Sequence, residues 1–313
     1  MNVSEAISYA QTHLADGESP KVDAERILQF VLDKPRSFLF TWPEHALTLT
    51  QETNFKDYIA RRVEGVPVAY IVGTADFWTL TLAVSKHTLI PRPDTEVLVE
   101  QVLARHGQNH QLNLLDLGTG TGAIALALAT EQPSWTVLGV DKVTEAVNLA
   151  TQNGKTNGVG NARFIVSSWF DNVPVASDEE PLGFDLIVSN PPYIDHQDHH
   201  LDQGDVRFEP ASALVADEHG LADIRKISED ARAFLTNKGW LYFEHGYNQG
   251  AAVRDLMSSY GYQQVETFCD YGGNERVTCG QWLNASALAQ GELNIAQPSC
   301  KLGQANQQEE SAE

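Results

Sequence analysis

Between Asn113 and Phe268, short aliphatic and β-branched runs alternate with stretches of helical periodicity, and that alternation leaves few folds open. Leu114-Leu115-Asp116-Leu117, Thr136 to Val140, Phe164-Ile165-Val166, Leu186-Ile187-Val188 and Trp240 to Phe243 read as strands. Ile124 to Ala129, Thr144 to about Asn153, Ala222 to Leu235 and Ala251 to Met257 read as helices. Val265 to Phe268 and Arg276 to Thr278 have no helix between them, so they must pair antiparallel through a short loop. The expected architecture is α/β, a Rossmann-like doubly wound sheet with an antiparallel hairpin at one edge.

Upstream the pattern is different. Asn2 and Glu5 have capping-box spacing ahead of Ala6, Ile7, Ala10 and Leu14. A second amphipathic stretch runs from Val22 to Leu32, and a third, with Thr50 as its expected cap, carries Phe55, Tyr58, Ile59 and Val63. This predicts a small all-α domain over residues 1–68, without a charge stripe or catalytic spacing, which suits a rigid recognition module. Tyr70 to Val84 reads as a β-hairpin, so 69–90 is the expected linker. Ile90-Pro91-Arg92-Pro93 then leads to a helix with Asp94 as its expected cap, ending near Gly107. The α/β domain is placed at 91–283, and the Ala-, Gln- and Ser-rich stretch 284–313 reads as a disordered tail.

The net charge of −21 is unevenly spread. Ser177 to Asp223 holds twelve Asp or Glu residues against Arg207 as its one basic residue. Lys and Arg contacts to phosphate supply most non-specific affinity for nucleic acid, so a face this acidic argues against DNA or RNA as direct partner. It favours a basic partner, or simply keeps the surface solvated. No apolar run approaches the roughly 20 residues of a membrane span, and Met1-Asn2-Val3-Ser4-Glu5 lacks a signal-peptide pattern. The three cysteines are too scattered for a disulfide framework or a zinc site, and a cytoplasmic location is expected.

Four features carry chemistry. Asp116-Leu117-Gly118-Thr119-Gly120-Thr121-Gly122 joins the first strand of the sheet to its first helix, where glycines let backbone approach a ligand at a helix amino terminus. A carboxylate at Asp116 repels a pyrophosphate but accepts from an ammonium, which favours S-adenosylmethionine over a dinucleotide. Asp141 ends the second strand, where an acid can accept ribose hydroxyls or simply cap the next helix. Trp169-Phe170 follow the third strand, and either flank an adenine or pack in the core.

The fourth feature is Asn190-Pro191-Pro192-Tyr193, a stiff turn at the end of the fourth strand. An amide or exocyclic amino nitrogen is a poor nucleophile because its lone pair is delocalised. Asn190 Oδ1 and the Pro191 carbonyl can accept its two hydrogens, while Tyr193 stacks on the planar group. Both hydrogen bonds would strengthen as positive charge develops on the nitrogen during methylation, with no metal required.

Asp116 to Gly122, Asp141 and Asn190 to Tyr193 resemble the class I S-adenosylmethionine-dependent N-methyltransferases. Asp205-Val206-Arg207-Phe208-Glu209-Pro210, the Ile90 to Glu96 segment and the helical amino-terminal domain resemble a narrower group, the peptide chain release factor glutamine methyltransferases, over about Val3 to Trp282. The resemblance implies methyl transfer to the side-chain amide nitrogen of the Gln in the Gly-Gly-Gln loop of bacterial class-1 release factors. It implies cofactor contacts at Gly118, Thr119, Gly120, Thr121, Gly122, Asp141, Trp169 and Asn190. It also implies a catalytic and substrate-binding role for Asn190, Pro191, Pro192 and Tyr193. Ser168 departs from the Asp often found before the Trp169 position, and the tail has no counterpart in the family. The competing reading is an N-methyltransferase acting on a ribosomal-protein glutamine or a nucleic-acid amino group. Gly154-Lys155-Thr156 lacks the first glycine of a P-loop. His196, His199 and His200 with Asp195, Asp198 and Asp202 read as a polar loop rather than a metal site.

Overall fold

The computed structural model describes residues 1–17, 19–174, 183–198, 201 and 204–284, and the backbone of Lys301–Leu302. By compactness the chain divides into two units.

The first unit is helical. Helix α1 (Val3–His13) opens on the predicted capping box, with the Asn2 side chain accepting from the Glu5 N–H and the Glu5 side chain accepting from the Asn2 N–H. Helix α2 (Pro20–Leu32) starts on a proline, whose missing N–H costs nothing there, and α3 (Arg36–Thr41) follows. Helix α4 (Leu49–Val63) is capped by Thr48, with Gln51 completing a capping box, rather than by Thr50. Thr48 has extended backbone and can present its hydroxyl to the first turn, whereas Thr50 already lies inside that turn. Val3, Ala6, Ala10, Ile27, Leu28, Phe55 and Ile59 form the core of this unit. Tyr70–Val72, read from sequence as strand, belong to helix α5 (Val68–Val72), ended by Gly73 in the left-handed conformation. Pro67 fixes its entry and Ile71 packs into the helical core, so tertiary burial outweighs β propensity. Asp205–Glu209 group with this unit rather than with their sequence neighbours. Arg62 Nε binds Asp23 at 2.7 Å and its Nη1 binds Asp205 at 2.7 Å, while Arg207 donates to the Glu64 carbonyl at 3.0 Å.

The second unit carries the hairpin β1 (Thr74–Phe77) and β2 (Leu80–Ala83), whose outer residues Thr74 and Ala75 fall in the first unit. A 3-10 turn at Pro93–Thr95 precedes α6 (Glu96–His106), so Thr95 rather than Asp94 stands at its cap. Then follow β3 (Asn113–Leu117), α7 (Ala123–Glu131), β4 (Thr136–Asp141), α8 (Thr144–Thr156), β5 (Ala162–Val166) and β6 (Phe184–Ser189). Two short helical turns, α9 (Ala211–Leu214) and α10 (Asp217–Gly220), lead to α11 (Ala222–Asp230), β7 (Leu235–Glu244), α12 (Gly250–Ser259), β8 (Gln263–Cys269) and β9 (Glu275–Gln281). Strand β10 (Lys301–Leu302) pairs parallel to β8. A sheet edge with unpaired backbone groups recruits extended chain whatever its composition, so these two residues are ordered within the predicted tail. Residues 285–300 and 303–313 lie outside the described residues.

The strand order is β10-β8-β9-β7-β6-β3-β4-β5, parallel from β7 to β5 and antiparallel where β9 meets β7 and β8. The doubly wound sheet and its antiparallel edge are as predicted. Alternate strand residues point to opposite faces. Leu114, Val137, Leu186 and Val188 pack with α6 and with α7, which is buried from Ala123 to Ala129, whereas Leu115, Leu138, Val140 and Ile187 pack with α11 and α12. Winding runs outward from β3 to β5, then returns to place β6 on the other side of β3. That reversal opens a crevice at the carboxyl ends of β3 and β6.

The Gly-Lys-Thr stretch lies inside α8, where Asn153 is 1% exposed. Its amide accepts from the Ala83 N–H at 2.8 Å and donates to the Ala83 and Thr121 carbonyls at 3.0 and 2.9 Å. One side chain thus pins the hairpin and the glycine loop to α8. Asn153→Ala leaves three buried backbone groups without partners, and urea unfolding should show a loss of about 2–4 kcal/mol.

Candidate active site

A cleft with about 920 Å³ of empty space, counted out to its open mouth, lies at the switch point. Of the residues singled out from sequence, Gly118, Thr119, Gly120, Thr121, Asp141, Trp169, Asn190 and Pro192 line it. Gly122, Pro191 and Tyr193 do not, although each adjoins a residue that does. Thr95, Ser168, Lys142 and Ser212 also line it.

The glycine loop is docked on β4. The Gly118 and Thr119 N–H groups both donate to the Val140 carbonyl at 2.9 Å. Gly118 and Gly120 have φ of +73° and +54°, which a side chain would strain. A Cβ at Gly120 would meet nothing within 4 Å, so that backbone is open to the cleft. Asp141 Oδ2 accepts from the Gly120 N–H at 3.0 Å and Oδ1 accepts from the Val143 N–H at 2.9 Å. Each oxygen keeps a lone pair for another donor, so capping and ligand binding are compatible roles here.

Asp116 lies beneath the loop, 1% exposed, its Oδ2 accepting from the Thr119 hydroxyl at 2.6 Å. Its Oδ1 is buried without a hydrogen-bond partner. Burial pushes this carboxyl up to about 7, against the Thr119 hydroxyl and the Ala125 N–H and with help from the Asp141 charge.

Trp169 and Phe170 diverge. Phe170 is buried and stacks on Phe234 at 4.5 Å, the core alternative, while Trp169 is half-buried at the cleft. Trp169 holds φ of +48°, an uncommon backbone for a bulky residue. The ring lies 3.5 Å from where a Gly118 Cβ would stand, and the indole favours the charged form of the Asp223 carboxyl, which burial pushes up.

Asn190 Nδ2 donates to the Thr95 hydroxyl at 3.3 Å, so the group it offers to the cleft is Oδ1. The Tyr193 hydroxyl donates to Glu244 Oε1 at 3.2 Å. The exit of the turn is stapled: Gln249 Nε2 donates to the Tyr193 and His219 carbonyls at 3.0 and 3.1 Å. Glu218, His219 and Gly220 all have positive φ, and a Cβ at Gly220 would stand 2.0 Å from the Tyr193 carbonyl oxygen. Thr95, Gln249 and Asp223 were given no role from sequence, and Glu244, which follows the strand from Trp240, was open to a substrate contact without a specific one. His245, directly after β7, is structural, bonded to the Thr278 hydroxyl at 2.7 Å and held neutral, its pKa lowered to about 4 by burial. His196 pairs with Asp217 and His219 with Asp195, and no metal-binding cluster exists among the described residues. His199, His200 and Asp202 lie outside them.

The fold and the crevice define a class I methyltransferase. Residues 5–73 match the PrmC N-terminal domain family and 92–218 the Methyltransferase small domain family. The release factor glutamine methyltransferase of Aliivibrio fischeri is 51% identical over 86% of this chain and 93% of its own length. That of Escherichia coli is 48% identical over 89% of this chain and 96% of its own. The chain belongs to the release factor glutamine methyltransferase family. Among solved structures, the hMettl16 catalytic domain in complex with a MAT2A 3′UTR hairpin shares the fold at a TM-score of 0.56 with 14% identity, over 88% of this chain and 95% of that one. Among the described residues no helix is long and apolar enough to cross a membrane.

The methyl donor is S-adenosylmethionine, and the residues fit it. The orphaned Asp116 Oδ1 needs a donor, and an ammonium is the one that would also offset the buried charge. A cation seated there binds the ionised carboxyl, so affinity must fall as pH drops below about 7. Calorimetry between pH 5.5 and 7 should show donor affinity weakening toward tenfold per pH unit, about 1.4 kcal/mol. Asp116→Asn should flatten that slope.

Proposed function

We propose that this chain methylates the side-chain amide nitrogen of the Gln in the Gly-Gly-Gln motif of peptide chain release factors. The observation that carries the reading is the fixed polarity of Asn190 at the switch point, with Nδ2 spent on Thr95 and Oδ1 turned to the cleft.

Bound at the glycine loop, S-adenosylmethionine supplies an electrophilic methyl group. The contacts assigned to it are the Gly118–Gly122 backbone, Asp141 toward the ribose hydroxyls, Trp169 against the adenine, and Asn190. The protein's own part is to make a poor nucleophile reactive. Asn190 Oδ1 accepts one N–H of the target amide and the Pro191 carbonyl accepts the other, turning the nitrogen's lone pair toward the methyl carbon. As the C–N bond forms, the nitrogen acquires positive charge and both hydrogen bonds strengthen, which lowers the barrier more than it tightens ground-state binding. The methyl's bond to the sulfonium sulfur would break as the C–N bond forms, leaving the donor a neutral thioether, and one of the two held protons would pass to solvent, restoring a neutral, methylated amide. Pro192 closes the cleft beside the acceptor. Tyr193 has its ring beside the turn and its hydroxyl anchored away on Glu244.

A protein loop rather than a nucleobase suits the acidity of Ser177 to Asp223, which would repel a phosphate backbone. The proposed place of action is the cytoplasm, where release factors work.

Mass spectrometry of a release factor incubated with enzyme and donor should find one added methyl, on the Gly-Gly-Gln glutamine. Methyl on another residue, or none, overturns the substrate. Asn190→Ala should cut kcat by about 10² or more, with donor affinity changed much less. Near-normal turnover in that variant removes Asn190 from the mechanism.

A further inference from the structure

Two carbonyl oxygens converge at the exit of the Asn190–Tyr193 turn. One belongs to Tyr193 and the other to His219, and both accept from a single nitrogen, Gln249 Nε2, at 3.0 and 3.1 Å. Two negative dipole ends that converge repel one another, and a double donor between them turns the repulsion into two hydrogen bonds. The orientation of this amide is set by chemistry, because Oε1 accepts from the Gly246 N–H at 2.8 Å and a backbone N–H can only donate. Gln249 is 9% exposed and stands at the start of α12, yet its side chain does not cap that helix. Its amide is spent on three other segments: the turn, the loop after β7 and the loop before α11.

The last of these is strained. Glu218 and His219 hold φ of +54° and +56°, a left-handed pair of non-glycine residues that persists only where the surroundings over-determine it. Arg225 holds Glu218 at 2.8 Å, Asp195 holds the His219 ring at 2.8 Å, and Gln249 holds the His219 carbonyl. Gly220 then passes so near that a Cβ there would stand 2.6 Å from Gln249 Nε2.

The turn needs a hold of this kind. Pro191 and Pro192 have no N–H, so no backbone donor at either position ties the turn to its surroundings. The Pro191 carbonyl has to stay available to the methyl acceptor. Asn190 is fixed at the entry by Thr95, and at the exit it is the Tyr193 carbonyl that is spent on structure. Ile194 continues the hold, its N–H donating to the Leu214 carbonyl at 2.9 Å and its carbonyl accepting from the Ala216 N–H at 3.0 Å.

We propose that Gln249 is a positioning residue for the methyl acceptor: its amide pins the exit of the turn and thereby sets the direction in which the Pro191 carbonyl meets the acceptor nitrogen. Gln249 does not line the cleft and acts through the turn alone. This role rests on the reading of Asn190 and Pro191 given above and extends it to the loop after β7.

Gln249→Met removes both donors at similar length. Gln249→Glu replaces them with a carboxyl that donates one proton when neutral and none when ionised. At saturating donor and about pH 8, kinetics on a release factor should show kcat reduced by about tenfold or more in both variants, with KM and calorimetric donor affinity within about twofold. Lowering the pH to about 6 should return much of the lost kcat in Gln249→Glu and none in Gln249→Met, because burial favours the acid form, which restores one hydrogen bond. Wild-type kcat in both variants, or identical pH profiles for the two, overturns the proposal. A substrate-free readout separates it from the functional reading. The Ile194 and Ala216 amides should exchange slowly in the wild type and lose about tenfold or more of that protection in both variants. The Leu186, Ile187 and Val188 amides of β6 should stay protected, which shows that the sheet still folds. If the wild type leaves the release factor unmethylated, the substrate assignment fails while hydrogen exchange still decides whether Gln249 holds the turn. Unchanged protection at Ile194 and Ala216 in both variants overturns it.

Discussion

The Ser189 hydroxyl donates to the Leu117 carbonyl at 2.8 Å, fully buried, at the point where β6 and β3 end side by side. Each strand hands over to a different working segment one residue later: β3 to the glycine loop, β6 to Asn190. Transfer of one carbon between two bound molecules demands that donor and acceptor grips stay in register within a fraction of an ångström. Parallel pairing of Leu117 with Ser189 supplies that register, and the buried hydroxyl locks it. Two unrelated segments, seventy residues apart, behave as one rigid instrument because they grow from neighbouring rungs of one ladder.

Two buried carboxyls sit in this unit, both pushed upward by desolvation, and they resolve the same penalty in different ways. Glu244 has the positive charge of Arg276 near it and accepts from the Tyr193 hydroxyl, though its Oε2, like Asp116 Oδ1, is buried without a partner. Asp116 has a hydroxyl and a backbone N–H, next to another acid and with one oxygen unmatched, so its compensation must come from outside. Burial pushes both carboxyls upward, and what separates them is the neighbouring charge: a cation beside Glu244 and another acid beside Asp116.

What could be read from sequence was what depends on near neighbours. Gly118 to Gly122, Asp141, Trp169 and Asn190 declare themselves because each follows a strand directly, and the end of a strand in an open α/β sheet is where ligands bind. The residues that hold them in place declare nothing. Thr95, Glu244 and Gln249 act across spans of about fifty to ninety-five residues, through side-chain bonds that no local pattern encodes. The misread helix α5 has the same cause. Val68–Val72 is β-branched and aromatic, but Ile71 is claimed by a helical core, and tertiary burial decided. Tyr193 marks the limit most sharply: its ring adjoins the turn, yet its hydroxyl answers to the far end of β7.

Asp205–Glu209 belong in space to the helical unit, although they lie between Tyr193 and the helix α11 of the sheet unit. The two units are therefore not consecutive cassettes. A gene fragment starting after the hairpin would strip Asp205 and Arg207 of the groups that hold them, Arg62 and the Glu64 carbonyl. It would leave a loose loop a dozen residues beyond the Asn190–Tyr193 turn. Exchange of amino-terminal domains between relatives would have to carry this strip along as well. Recombination at one breakpoint cannot do that, so the helical unit and the strip are bound to be inherited, and to change, together.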